Sequence, residues 1–359
     1  MTASGVLPSQ HIADMIQSGQ VALIEPPVEN QIQPASLDLR LGSVAYRLRA
    51  SFLPGRGHKV GERLSHFKMH EIDLSQGAVL EKGCVYLVPL LEAVNLPEDV
   101  SAVANAKSST GRLDVLTRCI TDNGIEFDRI EAGYSGPLFA EISPRSFSVL
   151  VRPGMRLNQI RFKRGHARID DTSLTELHTK VGLVDGPAQI DGGLGFSCDL
   201  SERVRPVGYR AKPHTGLIDL DLIGQYDPTD FWEPIYTTEG RIILDPGAFY
   251  ILVSREAVTI PPDCAAEMAP YLAMVGEFRV HYAGFFDPGF GHSDAGGAGS
   301  RGVLEVRCHE APFALEHGQS VGRLVYERMI EVPDQLYGAD LKSNYQGQGL
   351  KLSKHFKAA

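Results

Sequence analysis

The sequence predicts an all-β protein with few short helices, built from two tandem copies of one β unit. Short runs of alternating apolar and polar residues recur along its 359 residues, separated by glycine, proline, aspartate and asparagine. Such spacing is typical of β-sandwiches and barrels. One long segment also recurs at a constant offset, which indicates a duplication. The hydrophobic fraction of 43% suits a globular protein, and the length allows two domains.

The first copy begins with a predicted helix, which is followed by strands. Apolar residues with helical spacing follow Ser9, a suitable N-cap, so a helix is predicted over residues 8–18. Alternation then predicts a strand over residues 37–41. Further strands are predicted at residues 84–91, 101–106, 138–142, 148–151 and 159–162. Gly133 and Gly136 predict a tight turn that leads into the strand at 138–142.

The duplication is clearest in one segment of each half. Residues 79–99 recur as residues 243–263, and Leu80 aligns with Leu244, an offset of 244 − 80 = 164. Further pairs at this offset are Gly83 and Gly247, Tyr86 and Tyr250, Glu92 and Glu256, Pro97 and Pro261, Asp99 and Asp263, Glu141 and Glu305, and Gly154 and Gly318. We therefore predict a first, catalytic domain at 1–170, a second, degenerate domain at 171–332 and a closing tail at 333–359.

The composition argues against several classes of function. A net charge of −9 argues against a general nucleic-acid binder, because phosphate contacts favour a basic face. No apolar run approaches the roughly 18 residues that span a bilayer, and no secretory signal is visible, so we expect a cytoplasmic protein without membrane contact. The five cysteines form no C-x-x-C pair, so we predict neither a metal site nor a disulfide framework.

A cluster in the first copy is suited to binding a phosphate chain. Two cations and two hydroxyls occur within six residues, namely Lys107, Ser108, Ser109 and Arg112. Such a set neutralises and hydrogen-bonds phosphate oxygens. Glu141 lies nearby on a predicted apolar strand, where an alternating pattern would bury it. A carboxylate in that position is either an ion-pair partner or a general acid and base, and the residues alone leave both open.

The second copy differs at the positions of this cluster. Residues 271–276 contain no lysine, arginine or serine, so we expect the second copy to be a scaffold or partner surface and not a second active site. The glycine-rich residues 291–302 predict a flexible hairpin insertion. For the basic tail we expect either a frayed terminus or a segment whose residues 344–349 become ordered over a bound ligand.

Four motifs lie in order along the first copy. They are Ser36-Leu-Asp-Leu-Arg-Leu-Gly42, Lys107-Ser-Ser-Thr-Gly-Arg-Leu113, Arg129-Ile-Glu-Ala-Gly-Tyr-Ser-Gly136 with Glu141 beyond it, and Arg152-Pro-Gly-Met155. Together they resemble the deoxycytidine triphosphate deaminases, in the deoxyuridine triphosphatase superfamily. The resemblance covers residues 8 to about 165 well, and the second copy only as a framework. It implies two tandem deoxyuridine-triphosphatase-like folds, each a distorted barrel or β-clip.

The resemblance also implies an activity. It implies zinc-independent hydrolytic deamination of dCTP to dUTP and ammonia, which would feed dUMP and dTTP synthesis. Glu141 would activate the water and protonate the leaving ammonia, with Arg129 beside it. The residues expected to hold the triphosphate are Ser108, Ser109 and Arg112 with Lys107 nearby, and Tyr345 and Gln348 of the closing tail. Mg²⁺ would arrive with the nucleotide. Family members are trimers with sites between subunits, so a homo-oligomer is expected, with a trimer favoured.

Three departures from the family pattern keep alternatives open. Glu131 replaces the family's aspartate, the path from Arg112 to Arg129 is several residues longer, and the closing segment follows the second copy. One alternative is hydrolysis of a pyrophosphate link, either of dUTP alone or, in a bifunctional enzyme, after deamination to give dUMP; an acid at the position of Glu131 would then hold the attacking water. Another is a non-catalytic nucleotide-binding protein on a decayed fold.

Overall fold

The computed structural model describes residues 3–201, 205–270, 278–281, 284–338 and 347–358, without the side chains at 270 and 278–281. Within these ranges, sheets and a few short helices confirm the all-β prediction. Tyr345 and the second-copy residues 271–276, both of which carry predictions, lie outside the described residues.

The helices are α1 (Ser9–Gln17), α2 (Val60–Phe67), α3 (Ser108–Gly111), α4 (Asp171–Val181) and α5 (Pro228–Phe231), with a 3₁₀ turn at Ser293–Ala295 inside the predicted hairpin insertion. The helix predicted near the N-terminus is confirmed, but its cap is wrong. Pro8, with extended backbone, is the N-cap, and Ser9 lies within the first turn. None of the described helices is long and apolar enough to cross a membrane.

Helix α4 connects the two copies and was missed from the sequence, although its signals are present. The Asp170 carboxylate accepts a hydrogen bond from the Ser173 N–H at 3.0 Å and caps the N-terminus. Gly182 ends the helix in the left-handed conformation, which glycine adopts without strain.

The first copy contains the strands β1 (Gly5–Val6), β2 (Val21–Leu23), β3 (Ile32–Gln33), β4 (Ser36–Arg40), β5 (Val44–Leu48), β6 (Lys68–Asp73), β7 (Ala78–Leu80), β8 (Val85–Asn95), β9 (Val100–Ala106), β10 (Val115–Thr121), β11 (Arg129–Ile130), β12 (Ser135–Pro144), β13 (Val149–Val151) and β14 (Arg156–Arg164). One sheet has the order β11-β9-β14-β4-β3, and a second has the order β10-β12-β8-β5-β6. The strands predicted from residue 37 onward correspond to β4, β8, β9, β12, β13 and β14.

The second copy contains the strands β15 (Leu194–Ser197), β16 (Gly208–Ala211), β17 (Ile218–Asp219), β18 (Trp232–Ile235), β19 (Arg241–Leu244), β20 (Phe249–Val258), β21 (Cys264–Pro270), β22 (Phe278–His281), β23 (Phe285–Phe286), β24 (Ser300–Cys308), β25 (Phe313–Glu316) and β26 (Ser320–Arg328). Its sheets have the orders β23-β21-β26-β15 and β22-β24-β20-β16-β18, which repeat the two sheets of the first copy.

The duplication extends to the strand register. Val100 of β9 pairs with Arg164 of β14, and Cys264 of β21 pairs with Arg328 of β26. Both residues of the second pair lie 164 positions after their counterparts, since 264 − 100 = 164 and 328 − 164 = 164. Because a one-residue slip would move every side chain to the other face, this agreement confirms the tandem repeat as a structural one.

The two copies share buried surface and are not two separate units. Trp232 and Phe249 of the second copy, and Phe356 of the tail, pack into the hydrophobic core of the first copy. Strand β17 pairs in parallel with β13 of the first copy. A buried arginine of the first copy, Arg161, reaches Asp287 of the second at 3.0 Å. These contacts place the loop after β9 opposite strands β23 and β24.

Candidate active site

A cavity of about 780 Å³ lies between the two copies. The first copy contributes the loop that carries Lys107, the second copy contributes Glu305 of β24, and the tail contributes Gln348. Three separate regions of the chain therefore meet at one cavity, and no single copy forms it. Its size falls in the usual range for a small-molecule site.

The predicted phosphate-binding loop lines this cavity. Ser108 begins the short helix α3, and Arg112 follows it with only 3% of its surface exposed. Arg112 Nη2 donates to Gln348 Oε1 at 2.9 Å, and Nη1 donates to the Lys351 carbonyl at 3.0 Å. Its Nε lies 3.7 Å from Glu305 Oε1. Arg112 thus joins the loop, the tail and the second copy.

Among the described residues, five cationic side chains and four carboxylates line the cavity, and the part around Lys107, Arg156 and Lys354, with Asp38, is its cationic end. The lining cations are Lys107, Arg112, Arg152, Arg156 and Lys354. Asp38 pairs with Lys107 and lies 3.4 Å from Arg156, while Arg152 is held by Asp219 at 2.6 Å. Burial, together with the charges of Lys107 and Arg156, lowers the pKa of the Lys354 amine. Burial is the larger cause and the two neighbouring cations add to it, so an anionic ligand would favour the charged form of this amine.

Glu305 is the acid that faces the loop. It lies on β24, is 5% exposed, and pairs in register with His281 of β22. Burial raises the pKa of Glu305 to about 8, although the Arg112 guanidinium opposes this shift. A carboxyl group with such a pKa exchanges protons readily near neutral pH, as a general acid and base must.

The second copy also supplies an acidic turn to the cavity wall. Asp287 follows β23, is 7% exposed, and accepts a hydrogen bond from Arg161 at 3.0 Å. Burial raises the pKa of Asp287, and the charge of Arg161 opposes the shift. An apolar wall of Phe285, Phe286 and Phe290 lies beside it. This wall offers flat surface to a base or a sugar.

Known proteins resemble this chain in sequence and in structure. The family models of the N-terminal and C-terminal domains of 2'-deoxycytidine 5'-triphosphate deaminase match residues 3–166 and 170–356. The chain belongs to the dCTP deaminase family. It is thus an enzyme of that family, as its sequence motifs predicted.

Individual relatives cover different shares of the chain. The crystal structure of the 2'-deoxycytidine 5'-triphosphate deaminase from Agrobacterium tumefaciens is 56% identical, with a TM-score of 0.88 over 91% of this chain and 99% of that one. A dCTP deaminase of Halorubrum lacusprofundi is 29% identical over 51% of this chain and 88% of its own length. A "dCTP deaminase, dUMP-forming" of Coprothermobacter proteolyticus is 30% identical over 41% of this chain and 75% of its own.

The structure of this family member brings together most, but not all, of the predicted site residues. Those that line the cavity are Lys107, Ser108, Ser109, Arg112 and Gln348. Glu141 and Arg129 do not line it. Glu141 accepts a hydrogen bond from Arg118 Nε at 3.1 Å, and Arg129 is 54% exposed beside Glu126 and Glu131. Within the described residues, Glu141 and Arg129, the predicted catalytic residues, therefore lie outside the cavity that the phosphate loop lines.

The sheet arrangement explains why the loop of one copy does not meet the glutamate of the same copy. The loop follows β9 in one sheet, whereas Glu141 lies on β12 in the other. The docked second copy presents β24, the counterpart of β12, to that loop. The second copy, expected to be a scaffold or partner surface, thus faces the loop of the first copy and contributes Glu305 and Asp287 to the cavity lining.

Sequence signals for the missed residues existed in the repeat. Glu305 is the residue that the 164-residue offset aligns with Glu141. Asp287 retains the aspartate of the family motif at the place where the first copy has Glu131. In the described part of the chain, no group of three or more His, Cys, Asp or Glu is arranged to hold a metal ion.

Proposed function

We propose that the cavity between the copies binds dCTP and hydrolyses its 4-amino group, which yields dUTP and ammonia. The position of Glu305 carries this proposal, because a buried acid of one copy faces the cationic loop of the other. Membership of the dCTP deaminase family supports the substrate and the reaction. The product dUTP would feed dUMP and dTTP synthesis.

The cationic end of the cavity would hold the triphosphate. Arg112 presents a planar guanidinium, and Ser108 and Ser109 follow Lys107 at the start of α3. Gln348 contacts Arg112 directly and would close the site over the phosphates. Mg²⁺ would arrive with the nucleotide, coordinated mainly by phosphate oxygens and water.

Glu305 would move the two protons that the reaction requires. In its ionised form it takes a proton from water as the water oxygen attacks C4 of cytosine, and it passes that proton to N3. It then takes the second proton from the C4 hydroxyl and passes it to N4. The C4–N4 bond breaks, ammonia leaves, and the uracil carbonyl forms. Arg112, at 3.7 Å, would stabilise the ionised carboxylate between these transfers.

We propose that this chemistry does not use zinc, because one carboxylate that acts in turn as base and as acid accounts for the proton transfers. Activity retained after exhaustive treatment with a zinc-selective chelator would support this point, whereas recovery only on addition of zinc would contradict it. Chelation of Mg²⁺ is expected to weaken dCTP binding, because this ion would arrive with the nucleotide and not be held by the protein alone.

A second activity is favoured by one observation. The turn motif has an acid in each copy, Glu131 in the first and Asp287 in the second. Asp287 lines the cavity and Glu131 does not, and Arg161 donates a hydrogen bond to Asp287 at 3.0 Å. The acid at this turn was the feature expected to position water for hydrolysis of dUTP, and several relatives are named as dUMP-forming. We therefore retain conversion of dCTP to dUMP as the alternative.

Product analysis tests both activities. Purified protein with Mg²⁺ and dCTP is followed by ion-exchange separation of nucleotides and by an ammonia assay. We expect equal amounts of dUTP and ammonia. Accumulation of dUMP and pyrophosphate would establish the bifunctional alternative. Absence of any product at saturating dCTP would refute both activities.

One chain supplies loop, acid and tail to this cavity, so we propose that the site is complete within a chain. The preference for a trimer remains a prediction, and a homo-oligomer would then repeat complete sites instead of sharing them.

A further inference from the structure

The tail carries a lysine that no sequence motif singled out. Lys354 lines the cavity together with Lys107 and Arg156. Among the described residues, no carboxylate lies within ion-pairing distance of its amine, whereas Lys107 pairs with Asp38. A partly buried, unpaired ammonium group is unfavourable unless it meets an anion.

The tail holds this lysine in place through backbone contacts with the second copy. The Gly224 N–H donates to the Lys354 carbonyl at 3.0 Å, and the Gln225 N–H donates to the His355 carbonyl at 3.0 Å. The Lys357 N–H donates to the Tyr226 carbonyl at 2.9 Å. These bonds fix the backbone of the tail at Lys354 and in the residues that follow it.

Side chains anchor the same segment to both copies. Ser353 Oγ donates to the Ser109 carbonyl of the phosphate loop at 2.8 Å. The Phe356 ring lies 5.5 Å from Phe231 and 6.0 Å from Trp232 in an aromatic socket. Burial lowers the pKa of His355 to about 4, so its ring is neutral at physiological pH and adds no charge next to Lys354.

We propose that Lys354 is a further phosphate-binding residue, delivered by the tail to the cationic end of the cavity. The aromatic socket and the Ser353 hydrogen bond fix the backbone, so little entropy is lost when the amine meets a phosphate oxygen. The inference rests on the proposed function for the identity of the ligand, a nucleoside triphosphate.

Lys357 provides a matched control, because it is the same residue type three positions along the same tail and is exposed. Binding of inorganic tripolyphosphate and of dCTP is measured by titration calorimetry for wild type, Lys354→Met and Lys357→Met. We expect Lys354→Met to raise both dissociation constants about 10- to 100-fold, as loss of a charged hydrogen bond does. Lys357→Met is expected to change them less than about twofold.

A second variant separates the loss of a contact from misfolding of the tail. Lys354→Arg keeps a cation at the site and is expected to retain most of the tripolyphosphate affinity. Unchanged affinity in Lys354→Met, equal weakening in Lys357→Met, or no binding of tripolyphosphate to wild type would each overturn the proposal. Lys354-dependent binding of tripolyphosphate without turnover of dCTP would instead support this inference and refute the proposed function.

Discussion

The two copies have the same strand framework but make different contributions to the site. The first copy keeps the loop of Lys107 and Arg112, and its glutamate, Glu141, does not line the cavity. The second copy lacks the loop residues in its sequence, and its glutamate, Glu305, faces the loop of the first. If the loop of a site comes from one copy and its acid from the other, each copy of a duplicated chain can lose the residues that the other copy supplies. One complete site then remains.

The two aligned glutamates also differ in their partners. Glu141 is paired with Arg118, whose guanidinium stacks 3.6 Å from the centre of the Phe127 ring and contacts Ser51. In the described part of the chain, the ion-pair partner of Glu305 is the more distant guanidinium of Arg112, at 3.7 Å. Burial raises the pKa of Glu305, as suits a group that exchanges protons, whereas Glu141 is held in a close ion pair with Arg118. On the proposed function, we therefore infer a structural role for Glu141 and a catalytic role for Glu305.

The largest expected effect is a difference in kcat between two variants in which Glu305 or Glu141 is replaced by glutamine. Glu305→Gln should lower kcat for dCTP deamination about 10²- to 10⁴-fold, the usual contribution of a general acid and base. Glu141→Gln should leave kcat within about twofold, because it removes an ion pair away from the cavity. Ammonia release at saturating dCTP measures both, and melting temperatures verify folding.

The reverse result would restore our original prediction. If Glu141→Gln abolished turnover while Glu305→Gln remained active, the loop would have to meet the Glu141 strand of another chain.

A mixing experiment distinguishes a site within one chain from a site between chains. Arg112→Ala removes the loop arginine and Glu305→Gln removes the acid, so each variant alone should be inactive. Their mixture, unfolded and refolded together, should stay inactive if each chain uses its own loop and acid. The control is refolding of wild type by the same protocol, which must return activity. Recovery approaching a quarter or more of the wild-type rate would indicate exchange of half-sites between chains.

The pH dependence sharpens the assignment to Glu305. Because burial raises the pKa of Glu305 to about 8 from 4.5, the ionised form that takes the proton from water is scarce below pH 8. We expect kcat/KM to rise about tenfold per pH unit between pH 6 and 7.5 and to level off above about 8. A profile that is flat from pH 6 to 9 would mean that the acting acid has an ordinary pKa. Glu305→Gln should remove the pH-dependent limb.

The smallest expected effect concerns the contact that positions the second copy. Arg161 Nη1 donates to the Ala266 carbonyl at 2.9 Å, and Nη2 reaches Asp287, so the guanidinium fixes the acidic turn at the cavity. Arg161→Lys keeps the charge but cannot make both contacts, and it should lower kcat about tenfold with little change in KM.

Lys163 is the control for this substitution, since it lies on the same strand and pairs with Glu327 across the same junction. Lys163→Met should alter kcat less than Arg161→Lys does. Equal losses in the two variants would show that the junction as a whole, and not the Arg161 contacts, governs the site.

Much of the architecture could be predicted from local patterns. Alternation located the strands β8, β9 and β14, because one face of each is buried and the side-chain period of a strand is two. The offset of 164 predicted the repeated register. The cap at Ser9 was wrong, since Pro8 already has the extended backbone that a cap requires. Helix α4 was missed because its apolar stripe is weak, although Asp170 and Gly182 mark its ends.

The sequence by itself determined the family, the duplication, and the loop of Lys107 and Arg112, because these depend on residue types at fixed spacing. Only the tertiary structure decided which glutamate faces that loop. Glu141 and Glu305 occupy equivalent positions in equivalent strands, so no local pattern distinguishes them. The docking of the copies distinguishes them, because buried contacts such as that between Arg161 and Asp287 bring β24 to the loop. The packing of the tail in the aromatic socket likewise decided that Lys354 enters the cavity.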